Sequence, residues 1–244
     1  MTAADHPTDR TARAAGALYL LMGIPAVFSL EYVPRRLIVS ANAHATSSSV
    51  LGNESLFRLA IVAELLAAIF LLLLVMALYR LLGGVSRSHA RLMVVLVVIS
   101  AAVSFLNVLN SVAALDLFRG ADYIAALEAA QREALGMLFV NLHRQGIGVV
   151  GILWGLWLFP FGMLVIRAGF LPRVLGVLLI FNCVGYVAAS ATSLLAPQYA
   201  PVVSRVVLPT LLGELWIMLW LLAKGVGRPY SAGPSNVDTP AVPH

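Results

Sequence analysis

Charge is what this sequence has least of. Only 11% of its 244 residues are Asp, Glu, Lys or Arg, where a soluble domain carries about a quarter. Hydrophobic residues make up 61%, and the mean hydropathy is +0.93. So few polar groups cannot cover a water-facing surface, which excludes an ordinary soluble domain and makes lipid the solvent. Lysine occurs once, at Lys224, against 15 arginines. With so much Ala, Val and Leu, that usage reflects a GC-rich coding bias, not a function. Cysteine also occurs once, at Cys183 inside an apolar run, so no intrachain disulfide can form and the thiol reads as a small packing residue. The net charge of +5 comes from residues at the ends of apolar runs. No clustered basic face exists for nucleic acid. Catalytic signatures are missing too: no phosphate-cradling glycine loop, no G-x-S-x-G elbow and no H-E-x-x-H. Nothing calls for a cofactor, and an enzyme is not the leading expectation.

What the sequence does have is long apolar runs. A spanning helix needs about 20 apolar residues. Six runs qualify, at 14–33, 59–79, 92–115, 145–166, 174–196 and 206–223. The expected fold is therefore all-α: a polytopic bundle of six transmembrane helices within residues 14–225. Pro34, Gly83 and Gly84, Gly120, Pro172, Pro197 and Gly225 punctuate the runs. Residues 1–13 read as a frayed polar tail, and residues 226–244, rich in Pro, Ser and Gly, as a disordered one. "SANAHA" (Ser40–Ala45) offers signal-peptidase sites, but the first run is longer than a signal core and Arg35 and Arg36 intervene, so it reads as retained. The segment "GADYIAALEAAQREALG" (Gly120–Gly136) has helical composition, with Asp122 as a candidate cap. It is expected either to lie on the outer surface as an amphipathic segment or to extend the fourth helix outward.

Short-loop charge sets the orientation. The turns after the second and fourth helices are short and purely basic, whereas the segment after the third carries Asp116, Asp122, Glu128 and Glu133. Both termini are therefore expected in the cytoplasm.

Against this background Glu64 stands out. It sits among 21 mostly apolar residues between Arg58 and Arg80. An isolated carboxylate in hydrocarbon costs several kcal/mol, so it needs a proton, water or a partner. Glu214 is expected at a similar depth in the sixth helix. Asn107 and Asn110 lie near the outer end of the third, and Asn141, His143 and Arg144 enter the fourth from outside. These residues predict one polar layer in the outer half of the bundle, with Arg144 as the best-placed cation for both glutamates. Glu64, Glu214, Arg144, His143, Asn107 and Asn110 are thus candidates for a ligand or proton site. The same groups could equally act as structural glue between helices. A metal is not expected, since zinc wants three or four ligands. His44 could join His143 and a glutamate, but no spacing motif supports it. Pro25 and Pro160 free the carbonyls of Leu21 and Leu156 and predict kinks or hinges. Gly151 and Gly155, in G-x-x-x-G spacing, predict close packing by the fourth helix. Trp154, Trp157, Trp216 and Trp220 read as packing or anchoring residues.

Several blocks carry a family resemblance: "RAAGALYLLMGI", "ESLFRLAIVAELL" with "ALYRLL", "HRQGIGVVGILWGLWLFPFGMLVIRAGFLPRVLGVLL" and "GELWIMLWLLAKGV", between roughly residues 13 and 226. In these the chain resembles a bacterial membrane family known only as domain-of-unknown-function family 4386. The resemblance implies a multi-helix inner-membrane protein and implies no activity. Three functions stay open: binding or transport of a small molecule, lipid or proton through the polar layer; a non-catalytic structural or sensory subunit; and an intramembrane lipid-modifying enzyme. The bilayer is the one expected partner, with any small-molecule or protein partner unspecified.

Overall fold

The structure, a computed structural model, describes residues 9–207 and 212–226. All regular structure among them is helical. The first span joins α1 (Asp9–Val27), a π-helical turn (Phe28–Tyr32) and α2 (Val33–Leu37). A short helix α3 (Ala43–Gly52) leads to the second span, α4 (Glu54–Leu82), and the third, α5 (Arg87–Arg119). The fourth is made of α6 (Ala129–Leu156) and α7 (Leu158–Ala168), and the fifth is α8 (Arg173–Leu195). After α9 (Ala200–Val207) comes α10 (Leu212–Ala223), the main body of the sixth span. The expected helix over 206–223 crosses residues 208–211, which lie outside the described residues, as do residues 1–8 and 227–244 of the two tails.

These helices are set by burial, and α4 shows the rule. Leu59, Val62, Leu66, Ile69, Leu73 and Met76 recur every three or four residues and are all exposed. An exposed stripe of pure hydrocarbon on one helix face is a lipid-facing surface. The opposite face carries Phe57, Ala60, Glu64, Ala67, Leu71, Leu74 and Leu78, all buried. Glu64 therefore points into the bundle. The spans pack in chain order around a closed ring: α1 on α4, α4 on α5, α5 on α6, α6 and α7 on α8, α8 on α10, and α10 back on α1. The Val226 amide donates to Asp9 Oδ1 (3.1 Å), so the two ends of the described chain meet. We call this the terminal end of the bundle and the opposite one the far end.

Several expectations are corrected. Asp9–Arg13 is not frayed but opens α1. The first helix does not stop near Pro34. Pro34 gives no amide to the turn before it, yet the π turn runs straight into α2 and the chain stays helical to Leu37. The first far-end loop holds α3, whose start is capped by Asn42 accepting from the Ala45 amide (2.9 Å). Residues 120–136 form a 3₁₀ turn (Asp122–Ile124) and then the first two turns of α6, so the segment extends the fourth span. Its cap is Glu128, in a reciprocal box with Gln131, not Asp122.

Glycine lets α6 and α8 touch. A Cβ on Gly155 would lie 2.8 Å from Tyr186 Cβ and 3.0 Å from the Cys183 carbonyl. Overpacking of that kind costs about 1–3 kcal/mol. Gly155→Val is therefore expected to lower stability by at least that much in a detergent-unfolding titration. An unchanged titration would mean that α6 and α8 are further apart than described.

Candidate functional site

Two breaks in helix geometry shape the interior. In α1, Pro25 precedes the π turn, which turns Ser29 inward. In the fourth span the helix is interrupted at Trp157 between α6 and α7. Pro160 lies three residues on, where it can give no amide to Leu156. Trp157 is consequently buried in the bundle, stacked on Phe161 (centroids 5.5 Å apart, planes 8° apart) and 6.4 Å from Tyr19.

Between these breaks lie two cavities. The one nearer the far end, about 200 Å³, is lined by Ser29, Glu64, Ser111, His143 and Arg144 among apolar residues. The deeper one, about 130 Å³, is lined by Glu64, Glu214, Ser104, Trp154, Trp157 and Tyr186. Ser29, Leu30 and Glu64 line both. Glu64 thus stands where the cavities adjoin.

Each carboxylate is held by groups from other helices. His143 Nε2 lies 3.1 and 3.0 Å from the two oxygens of Glu64, within hydrogen-bond distance of both. His143 is itself positioned through its backbone. Asn107 donates from Nδ2 to the His143 carbonyl (3.0 Å), and Asn110 donates to the Asn107 carbonyl and side chain (3.1 and 3.2 Å). Asn107 packs directly against Gly146, where a side chain would have no room. At Glu214, Oε2 accepts from the Tyr19 hydroxyl (2.7 Å) and Oε1 from Asn182 Nδ2 (2.8 Å). Tyr186 lines the deeper cavity beside this carboxylate. Among the described residues no cationic side chain pairs with Glu214.

The geometry departs from the expected layer in two ways. First, Arg144 pairs with neither glutamate. It is exposed and donates to Asn141 Oδ1 (3.1 Å). His143 takes the place assigned to it, because neighbouring residues on a helix point about 100° apart and only one can face Glu64. Second, Asn107 and Asn110 line neither cavity and act on the site through His143. The two glutamates themselves line one space, the deeper cavity.

His44 is equally distant from the arrangement considered for it. It meets Glu133 at the surface (3.0 Å), and among the described residues no three of His, Cys, Asp and Glu gather as metal ligands. Tyr19, Asn182, Tyr186, Ser29 and Ser104 were not anticipated. Asn182, a carboxamide inside an apolar run, carried the same signal as Glu64.

Tyr19→Phe removes a donor from a buried carboxylate and is expected to cost about 1–3 kcal/mol in detergent unfolding. Tyr32→Phe is the control, since that hydroxyl is exposed and only accepts from Arg36 (3.0 Å). Equal, negligible losses from both variants would mean that the Tyr19–Glu214 contact is not held.

The comparisons with known proteins add the family. A family profile described as "Domain of unknown function (DUF4386)" matches residues 14–225, which include every residue lining the two cavities. No curated protein and no solved structure matches the chain. The chain, an integral membrane protein by its six apolar spans, belongs to the DUF4386 family.

Proposed function

We propose that this protein sits in the bacterial inner membrane with both termini in the cytoplasm, and that it binds or passes a small solute or a proton through the polar interior. The orientation is supported by the short basic turns at the terminal end, with Arg80, Arg87 and Arg91 in one and Arg167 and Arg173 in the other. The observation that carries the functional reading is the position of Glu64. It lines both cavities and so connects Glu214 with the pocket towards the far end. Intramembrane carboxylates that face a shared cavity mark ion, proton or substrate pathways. Both cavities are smaller than the ~300–1,000 Å³ of drug-sized sites, which favours a small solute or proton over a lipid.

The alternative role, glue between helices, makes a different demand. Glue residues are needed for the fold, whereas site residues are needed for the activity. Glu64→Gln and Glu214→Gln keep shape and hydrogen-bonding capacity while removing charge. Both variants are expected to accumulate at native levels as monodisperse protein, and to slow solute or proton entry into proteoliposomes, read for protons with an entrapped pH dye. Variants that simply fail to accumulate would assign the glutamates to structure alone.

A further inference from the structure

We infer that the deeper cavity is a binding site for a small organic ammonium compound, seated between the two carboxylates and the aromatic wall. The inference rests on the binding reading above and names the class of solute. Three features of the cavity converge on it. The first is its acid groups. Glu64 and Glu214 both face the space, and among the described residues no basic side chain lines it. His143 meets Glu64 from the adjoining cavity. Glu214 has neutral partners, Tyr19 and Asn182, which satisfy hydrogen bonds and leave it to take either a proton or a cation. An ammonium entering here takes the place of that proton as the counter-charge.

The second feature is the wall. Trp154, Trp157 and Tyr186 stand around the same space, and the remaining surface is mostly apolar, with Met22 and Leu71. Aromatic faces attract a cation through the ring quadrupole, most strongly when it is desolvated. Calcium and magnesium instead gather six or more oxygens around themselves, whereas this lining is mostly apolar. An ammonium group with a carbon body satisfies both halves of the cavity. The third feature is size. At about 130 Å³, the space is close to the ~150 Å³ engineered cavity that holds a benzene molecule. The fitting solute has one compact ring or a few methyl groups, not a long chain. Access runs past Glu64, through the cavity lined by Ser29, Ser111 and Arg144.

The test uses the full chain in nanodiscs and three probes of like size: benzylammonium, benzyl alcohol and benzoate, titrated calorimetrically. Benzylammonium is expected to bind at least about ten-fold more tightly than benzyl alcohol, the usual worth of a charged hydrogen bond, and benzoate not to bind. In Glu214→Gln the preference for the ammonium should disappear. Comparison of the probes on the native chain needs no variant, so a folding defect cannot hide the answer. Equal binding of ammonium and alcohol, weakened by Trp154→Leu, would overturn the inference while leaving the cavity as a site for neutral solutes. Absence of binding by all three probes would also overturn it; the broader reading is then decided separately by accumulation and flux of the glutamine variants.

Discussion

A carboxylate in the middle of a membrane has to be hydrogen-bonded by protein, because hydrocarbon offers it nothing. At Glu214 that requirement is met by a hydroxyl from the first span and an amide from the fifth. At Glu64 it is met by an imidazole from the fourth. The contacts therefore tie together the ring of spans at two points. Glu214 bridges α1, α8 and α10, where the ring closes, and Glu64 joins α4 to α6 across the interior. Lipid-facing residues on the same helices are ordinary hydrocarbon side chains and impose no such demand.

Departures from regular helix follow the same interior. The π turn of the first span and the break at Trp157 both border the cavities, and both lie near a proline. Wide turns inside helices recur at functional sites. Here they prevent a tighter ring from filling its own centre. The small residues of α6 work in the opposite direction. Gly151 and Gly155 bring α8 close, and that approach is what sets Tyr186 beside Trp154 and Trp157. Tight contact on one face of α6 and open space on another are made by the same helix.

The six spans were legible in the sequence because twenty consecutive apolar residues have few other uses, and the break before Pro160 because proline chemistry is local. Glu64 was legible as an anomaly for the same reason. Its partner was not, since residues 143 and 144 differ only in which way they face on a helix whose rotation depends on its neighbours. Nothing local links Tyr19 to Glu214, which are 195 residues apart. The short α3 was invisible because "AHATSSSVLG" is poor in strong helix formers; side-chain caps and exchanges between Thr46 and Val39 (3.0 and 3.1 Å) hold it in place.

The central claim is that the two carboxylates face a solvent-sized interior and not lipid. It is tested most directly by thiol accessibility in a Cys183→Ser background, which leaves the chain without a competing cysteine. Ser104→Cys would place a thiol in the wall of the deeper cavity, and Leu109→Cys about one and a half turns along the same helix at an exposed, lipid-facing position. A small charged thiosulfonate added to membranes is expected to modify Ser104→Cys and leave Leu109→Cys unmodified. If Ser104→Cys proves as inert as Leu109→Cys, the interior is closed to water-borne solutes and the shared cavity does not exist.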